Sequence, residues 1–134
     1  MIFEIWYYKA ILPNGGGTKA RPVLIIGNDS ENNLSIVDIH YCLVSASSQK
    51  GEYDINIDEE QAKELGLTRA SVIKITKVYT GSRGLLERKV CDLPSDLRAE
   101  FIKNYKVYQN KLMERMDAIN IHEPRVQSTH RDNP

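Results

Sequence analysis

The order of apolar and polar positions along the chain predicts several short strands and, after them, one long helix. Runs of β-branched and aromatic residues between clusters of turn-forming residues indicate strands, and strict alternation over residues 53–57 indicates a half-buried one. A break is expected at residues 79–84, which read YTGSRG. The predicted strands cover residues 3–10, 21–27, 34–44, 53–57, 70–78 and 85–93.

Two helices are predicted, a short one among the strands and a long one after them. Asp58 can cap a short helix whose first turn is acidic and whose last residue precedes Gly66. With Ser95 as its N-cap, a second helix is expected to end near Ile119, because apolar residues recur at spacings of three and four. Its apolar stripe consists of Leu97, Phe101, Tyr105, Tyr108, Leu112 and Met116.

These elements predict an α+β protein, a small and strongly bent β-barrel with an inserted helix and a terminal helix. The length of 134 residues fits a single domain, and no internal repeat is visible. We expect this domain to cover residues 1–119. Residues 120–134 are polar and include Pro124, so a disordered tail is expected there.

The charges balance in number but are unevenly placed along the chain. The 18 basic and 18 acidic residues give a net charge of zero, which argues against a protein that coats nucleic acid without specificity. Residues 52–64 are mainly acidic, whereas residues 69–91 are mainly basic. A neutral total can therefore hide a basic surface that meets phosphates. The alternative is two solvated surfaces that happen to segregate.

The sequence shows no signal for a membrane span, a metal site or a disulfide framework. No apolar run approaches the roughly 18 residues that cross a bilayer, and the first residues lack the pattern of a signal peptide. Cys42 and Cys91 lie in apolar segments typical of buried thiols, and no two histidines have the i,i+4 spacing of metal ligands. We expect a cytoplasmic protein without a membrane anchor, metal or cofactor.

The residues that could carry chemistry reduce to one arginine and a few hydroxyl groups. No Gly-x-Ser-x-Gly motif for acyl transfer is present, and the glycine-rich segment 13–18 lacks the Lys-Ser or Lys-Thr pair of a P-loop. The remaining candidates are Arg21, Ser45, Ser47, Ser48 and Thr80. By residue type alone Arg21 is a surface arginine at a strand entrance, so these residues do not by themselves predict a reaction.

Three blocks of the sequence resemble the MazF/PemK family of toxins. Residues 19–29 (KARPVLIIGND) are similar to the family's Arg-Pro-Val block, and residues 4–8 (EIWYY) to its opening strand. Residues 71–80 (SVIKITKVYT), with Leu86 after five further residues, resemble its third block. The resemblance covers roughly residues 3–116. It implies an SH3-like barrel, the fold that MazF toxins share with CcdB gyrase poisons, and a homodimer.

The resemblance implies a sequence-specific endoribonuclease toxin that cuts single-stranded RNA without a metal and is neutralised by a cognate antitoxin. The ribose 2′-hydroxyl would attack the adjacent phosphorus, leaving a 2′,3′-cyclic phosphate and a 5′-hydroxyl end. Arg21 falls on the family's catalytic arginine, and a fixed guanidinium suits the charge that develops on phosphate oxygens. The family's catalytic threonine falls on Ser45 without gaps, or on Ser47 after a small register shift.

The resemblance also marks further RNA contacts and two departures from the family pattern. The departures are the serine at the threonine position and Phe3, which stands where a glycine is common. The glycine-rich loop 13–18 is expected to close over the substrate. The basic segment from Arg69 to Lys89 becomes a candidate RNA surface with stacking and phosphate contacts. The residues expected to bind RNA are Lys19, Lys77, Tyr79, Thr80 and Arg83.

Two other functions stay open at this point. A barrel of the same fold can act by protein contact alone, as the gyrase poisons do through aromatic and small residues at the end of the terminal helix. Here that helix leads into a polar segment without such an ending. An inactive relative that binds RNA or an antitoxin is the other alternative, because a serine replaces the family's threonine.

Overall fold

The computed structural model describes residues 1–11, 17–28, 38–46 and 49–122. They form six antiparallel strands and two helices, which confirms the predicted α+β class. The elements are β1 (Glu4–Ile11), β2 (Thr18–Asn28), β3 (Asp38–Ser45), β4 (Ile55–Ile57), α1 (Glu59–Leu65), β5 (Ser71–Ser82), a 3₁₀ turn (Arg83–Leu85), β6 (Leu86–Asp92) and α2 (Ser95–His122). The strands form one curled half-barrel in the order β4-β5-β3-β2-β1-β6.

The strand predictions hold in most places and fail at two, the first being residues 53–57, where β4 covers only Ile55–Ile57. The break expected at residues 79–84 was wrong, because β5 continues to Ser82 through pairing of Tyr79 with Tyr41 and of Ser82 with Asp38. Ladder pairing with β3 thus outweighs the local turn propensity of this segment. Of the strand expected over 34–44, residues 34–37 lie outside the described residues.

Helix α1 forms where the sequence predicts it. The Gln61 amide N–H donates to the Asp58 carboxylate at 2.8 Å, and the Asp58 N–H donates to the Gln61 side-chain oxygen at 2.9 Å. This reciprocal pair satisfies backbone donors that the first helical turn leaves free. Gly66 ends the helix with a φ of 88°, a left-handed conformation that favours glycine. The direction in which the chain leaves α1 toward β5 is therefore set locally.

Helix α2 begins at Ser95 itself, rather than after it, and ends at His122 rather than near Ile119. Leu97 and Phe101 are buried, and the Tyr108 ring lies 5.4 Å from that of Tyr53. Beyond this contact Leu112 is half-buried and Met116 is 61% exposed. The stripe is continuous in sequence, but only its first half reaches the sheet. Residues 123–134 of the predicted tail lie outside the described residues.

The two faces of the sheet belong to different apolar clusters. The larger cluster includes Leu24 together with residues of β4, β5 and both helices. The smaller cluster, on the other face, consists of Tyr8, Val23, Ile25 and Ile39 with partly buried neighbours. Since side chains alternate along a strand, β2 is covered on both faces, which accounts for its uninterrupted apolar run. Neither described helix has the length and apolar content that a membrane crossing requires.

Phe3 has a backbone conformation that side chains rarely adopt. Its φ is 67°, in the left-handed region. Its N–H donates to the Ile25 carbonyl, and its own carbonyl accepts from the Leu93 N–H, each at 2.7 Å. Its ring packs edge-on against Phe101 at 5.7 Å. The backbone geometry explains why glycine suits this position, and the ring contact helps to offset the strain here.

Candidate active-site cleft

One cleft of about 390 Å³ lies where β2 begins and β3 ends. The start of β2 forms one side, the end of β3 forms the floor, and the connector from α1 to β5 forms the other side. This arrangement follows from the sheet order, since β3 lies between β2 and β5. The lining residues are Tyr7, Lys19, Ala20, Arg21, Pro22, Leu43, Val44, Ser45, Ala46, Leu67, Thr68, Arg69 and Ser71.

The cleft brings together Arg21 and Ser45, two of the three predicted catalytic residues. Val23 pairs with Leu43 across β2 and β3, and the same register continued for two residues aligns Arg21 with Ser45. On its other side Ser45 pairs with Val72 of β5. Residues that are opposite in an antiparallel pair share a face of the sheet. Ser47, the alternative to Ser45, lies outside the described residues.

The described lining of the cleft is positively charged. It includes Lys19, Arg21 and Arg69, all exposed, and it includes no carboxylate and no imidazole. In a chain with no net charge, this local excess of cations attracts anions. Across the described segments no group of three or more His, Cys, Asp or Glu side chains could hold a metal ion. The cleft therefore offers electrostatic stabilisation and hydroxyl groups as its chemistry.

An aromatic residue and a further arginine border the cleft on the side of β1. Tyr7 lines the cleft and pairs with Arg88 of β6. The Arg88 guanidinium lies over the Tyr7 ring, 4.4 Å from its centre, within the range of a cation–π contact. This contact holds the ring against β6 and adds positive charge behind it.

Arg69, Thr68 and Ser71 line the cleft but were not among the predicted site residues. In sequence Arg69 is only the first member of the basic segment. The Ser71 hydroxyl donates to the Arg69 carbonyl at 3.0 Å, which holds this part of the connector. The signal that would have found Arg69 is the pairing of β3 with β5, and that pairing is a tertiary property.

The other four predicted RNA-binding residues, from Lys77 to Arg83, do not line the cleft. Tyr79 pairs with Tyr41, four residues along β3 from Ser45 (41 against 45), a separation of roughly 13 Å at the rise of a strand. The Thr80 hydroxyl lies 3.0 Å from His40 Nδ1, and Arg83 is exposed in the 3₁₀ turn. The predicted site thus divides into a cleft and a separate stretch of β5.

Three tyrosines from β1, β3 and β5 stack beside that stretch. The Tyr41 ring lies 4.8 Å from that of Tyr8 and 5.7 Å from that of Tyr79. A Cβ atom on Gly81 would collide with the Tyr8 hydroxyl and lie 3.2 Å from Tyr41 Cε1, so glycine allows the close approach. Burial, with Tyr8 alongside, raises the pKa of Tyr41 to about 12. Tyr79 is 43% exposed and presents the outer ring of the stack.

The basic segment of the sequence does not form one surface. The Lys74 ammonium lies 2.7 Å from the Asp54 carboxylate. Lys89 pairs with Glu4 at 3.2 Å and with Asp92 at 3.0 Å. These two cations are neutralised within the chain. Arg69 lies at the cleft, Lys77 lies on the outer part of β5, and Arg83 lies in the turn that follows β5.

A family model described as "PemK-like, MazF-like toxin of type II toxin-antitoxin system" matches residues 2–104. The chain belongs to this family. The match contains all six strands, the described cleft lining and the beginning of α2, while the rest of α2 lies beyond it. The resemblance noted in the sequence is thereby confirmed.

Three solved structures share the fold of this family member. The Mycobacterium tuberculosis toxin MazF-mt6 has 17% identity, covering 76% of this chain and 91% of that one, with a TM-score of 0.58. An endoribonuclease in complex with its cognate antitoxin from a mycobacterial species has 11% identity, with 82% and 94% covered and a TM-score of 0.58. MazE–MazF from Deinococcus radiodurans has 14% identity, 81% and 92% covered and the same TM-score of 0.58. A search of curated proteins gave no match.

Proposed function

We propose that this MazF/PemK family toxin is a metal-independent endoribonuclease that cuts single-stranded RNA at a short sequence. The observation that carries the proposal is the cleft in which Arg21 and Ser45 lie among exposed cations, with no carboxylate in its described lining. The match of residues 2–104 to the toxin family supports the proposal, and so does the similar structure that is titled an endoribonuclease.

The proposed reaction takes its nucleophile from the substrate. The ribose 2′-oxygen attacks the adjacent phosphorus, a bond forms between them, and the bond from phosphorus to the 5′-oxygen breaks. The 2′-hydroxyl loses its proton, and the departing 5′-oxygen gains one. The products are a 2′,3′-cyclic phosphate and a 5′-hydroxyl end. DNA lacks the attacking hydroxyl and is therefore not cut.

Arg21 stabilises the charge that grows on the phosphate during this step. Its guanidinium remains charged and presents a planar fork of N–H donors that matches two phosphate oxygens. Because the charge on those oxygens is larger in the transition state than in the bound RNA, such an arginine accelerates the reaction. The Ser45 hydroxyl donates to the phosphate or accepts from the 2′-hydroxyl. Ser47 stays the alternative for this role.

The remaining predicted residues bind the rest of the strand. Lys19, in the cleft, contacts phosphates next to Arg21. Lys77 of β5 and Arg83 of the turn after it meet the backbone farther from the cut. The Thr80 hydroxyl supplies a polar contact, and the exposed Tyr79 ring stacks on a base. The Tyr41 ring behind it makes this a rigid platform.

The proposal includes a cognate antitoxin, a homodimer and action in the cytoplasm. One similar structure is titled as an endoribonuclease in complex with its cognate antitoxin, and another is titled as MazE–MazF. An antitoxin segment that carries acidic residues would complement the cations of the cleft. The toxin domain would cover residues 1–119, and the predicted tail would begin after α2, which continues to His122.

The proposal is tested with purified protein, a diverse pool of single-stranded RNA and excess EDTA. We expect fragments whose 5′-hydroxyl ends a polynucleotide kinase labels directly, and we expect Arg21→Ala to produce almost none in the same reaction time. Arg98→Ala is the matched control, because Arg98 is an exposed arginine of α2 outside the cleft, and it should cut like the wild type.

Three results would contradict the proposal. In the first, the wild type leaves the RNA pool intact. In the second, EDTA abolishes cleavage. In the third, Arg21→Ala cuts as fast as Arg98→Ala. Tight RNA binding without cleavage would favour the inactive relative, and capture of DNA gyrase without RNA cleavage would favour the gyrase poison.

A further inference from the structure

The second half of α2 extends away from the rest of the described structure. The Asn104 side chain donates to the Tyr53 carbonyl at 3.1 Å, and the Tyr108 ring lies 5.4 Å from that of Tyr53. Beyond them, no hydrogen bond, salt bridge or ring contact within the described segments joins residues 109–122 to another element. This part of the helix is roughly 20 Å long. It also lies outside the match to the toxin family, which ends at residue 104.

One side of this part of the helix is apolar. Leu112, Met116 and Ile119 follow one another at spacings of four and three residues, which places them on one face. Leu112 is half-buried, whereas every residue from 113 to 121 is exposed, with Met116 at 61% and Ile119 at 57%. Most of the stability of a helix in a protein comes from the packing of its amphipathic face. This stripe is therefore a surface that a further segment can cover.

The charged residues of this part of α2 are unevenly placed around the stripe. Arg115 follows Leu112 by three residues and therefore borders the stripe, and Lys111, four residues before Arg115, lies on the same edge. Glu114 and Asp117 follow Leu112 by two and five residues, which places them on the opposite side of the helix. Both bases are exposed, and neither forms a salt bridge with a described residue. A covering segment that carries carboxylates would complement this basic edge.

Two occupants from this chain itself fit the surface poorly. Residues 123–134 read EPRVQSTHRDNP and contain a single hydrophobic residue, Val126, which is too few to cover the stripe. Two copies of α2 packed antiparallel would bring their basic edges together, and like charges repel. Packed parallel, they would set the basic edge against Gln109 and Asn120 on the other edge, where no charges pair. A different protein therefore fits the surface better.

We propose that residues 109–122 dock an amphipathic helix of another protein, one with an apolar face and with carboxylates along the edges of that face. The apolar face covers Leu112, Met116 and Ile119. The carboxylates pair with Lys111 and Arg115. Methionine is unbranched and flexible, so Met116 adapts to the shape of the helix that binds. The surface shares no residue with the described lining of the cleft, and the proposal does not depend on the function proposed above.

The surface is tested with the full-length protein and two labelled synthetic peptides of about 20 residues. In the first peptide, leucines form one face of a helix and glutamates form both edges of that face, and in the second, lysines replace the glutamates. Fluorescence anisotropy should show that the glutamate peptide binds at least about tenfold more tightly, because the basic edge attracts it and repels the lysine peptide. On binding, hydrogen exchange should slow in residues 109–122 and stay unchanged in β2.

Two matched pairs of variants locate the contact. Ile119→Asp puts a charge in the stripe, and Ile121→Asp puts the same charge on the other side of the helix, where Ile121 is 72% exposed. The first should weaken binding of the glutamate peptide roughly tenfold or more, and the second by less than about twofold. Lys111→Glu should narrow the difference between the two peptides, since it reverses part of the basic edge. Lys103→Glu, at an exposed position away from the stripe, should leave that difference unchanged.

The proposal is overturned if the two peptides bind equally, or if Ile119→Asp and Ile121→Asp bind the glutamate peptide alike. It is also overturned if the glutamate peptide slows exchange in β2 instead of α2, because the cations of the cleft would then be its site. Circular dichroism of all variants checks that α2 keeps its helix.

Three other occupants would equally refute the proposal. Slow exchange of residues 109–122 in the monomeric free protein would show that the chain itself covers the surface. Loss of a dimer in sedimentation for Ile119→Asp, but not for Ile121→Asp, would make a second copy the occupant. Slower exchange of this part of α2 with single-stranded RNA alone would make it a nucleic-acid surface.

Discussion

The cleft and the cluster around Asp54 hold charge in opposite ways. The Asp54 carboxylate is 2% exposed and accepts from the Gly51 N–H at 2.8 Å and the Ile75 N–H at 3.1 Å. Lys74, at 2.7 Å, neutralises it. In the cleft, Arg21 and Arg69 are exposed and no acid lies among the described lining residues. One region satisfies its charges internally, and the other leaves them to a ligand.

The two regions therefore contribute to different properties. The cluster around Asp54 contributes to stability, and the cations of the cleft contribute to activity. The Asp54 cluster ties the segment after β3 to β5, because Gly51 bonds to Asp54 and Lys74 Nζ donates to the Gln49 carbonyl at 3.0 Å. Removing one partner of a buried ion pair leaves a desolvated charge and is strongly destabilising. Removing an exposed cation has little effect on folding. Substitutions in the two regions should therefore change different measurements.

Asp54→Ala has the largest expected effect. It should lower the free energy of unfolding by about 3–5 kcal/mol, because Lys74 loses its counter-charge and two backbone N–H groups lose their acceptor. Urea denaturation measures the change, and Glu52→Ala, which removes an exposed acid nearby, is the control. Equal stability of these two variants would contradict the contrast between the regions.

Arg21→Ala should have the complementary effect. We expect the single-turnover cleavage rate to fall by roughly 100- to 1000-fold, the range for loss of one transition-state donor. The free energy of unfolding should stay within about 0.5 kcal/mol of wild type, since the side chain is exposed. A loss of stability as large as that of Asp54→Ala would show that the cleft arginine is structural.

Substitutions of Ser45, on the floor of the cleft, should have a smaller effect on the cleavage rate. Ser45→Ala should slow cleavage about tenfold or more, the loss of one hydrogen bond to a charged group. Ser45→Thr keeps the hydroxyl and limits its rotamers, so it should cut at least as fast as wild type. If Ser45→Ala retains the full rate, the hydroxyl role passes to Ser47, and Ser47→Ala then becomes the decisive variant.

The smallest expected effect concerns Cys42, whose thiol is influenced by the charge of Asp54. Burial, and secondly the charge of Asp54, raise the pKa of its thiol from 9.0 to about 12. Between these values the unfolded thiol ionises while the folded one keeps its proton, so stability falls as the pH rises. The expected slope is about 1 kcal/mol per pH unit above pH 9. Below pH 9 this contribution to stability is fully present.

Urea unfolding of wild type and Cys42→Ala at several values of pH measures this slope. Cys42→Ala should be less stable at neutral pH because it leaves a small cavity, but its stability should fall less steeply above pH 9. Parallel curves for the two proteins would show that Cys42 ionises equally in both states.

The sequence was informative wherever short-range rules decide the structure. Asp58 and Gly66 mark the ends of α1 because capping depends on side chains within four residues. The apolar run of residues 21–27 predicts a strand, and the structure forms β2 there, with apolar clusters on both of its faces. The Arg-Pro-Val block likewise identified the family and singled out Arg21.

The sequence misled where pairing between distant segments overrides a local pattern. Residues 79–84 look like a turn, yet β3 extends β5 through most of them. Alternation over 53–57 assigns Asp54 to the polar face of a strand, yet Asp54 is buried against Lys74. The stripe of α2 predicts one continuous contact, but the sheet covers only its beginning. In each case the deciding partner is far away in sequence.

By itself the sequence determined the element types, the family and the arginine at the strand entrance, because propensity, capping and a short motif are local properties. Only the tertiary structure decided which of the cations share a site. It brought Arg69 to the cleft beside Arg21, placed Lys74 against Asp54, and left Lys77 on the outer part of β5 and Arg83 in the turn that follows it. The physical reason is that the charge of a side chain acts over a few ångströms. Strand order, which a linear pattern does not contain, sets those distances.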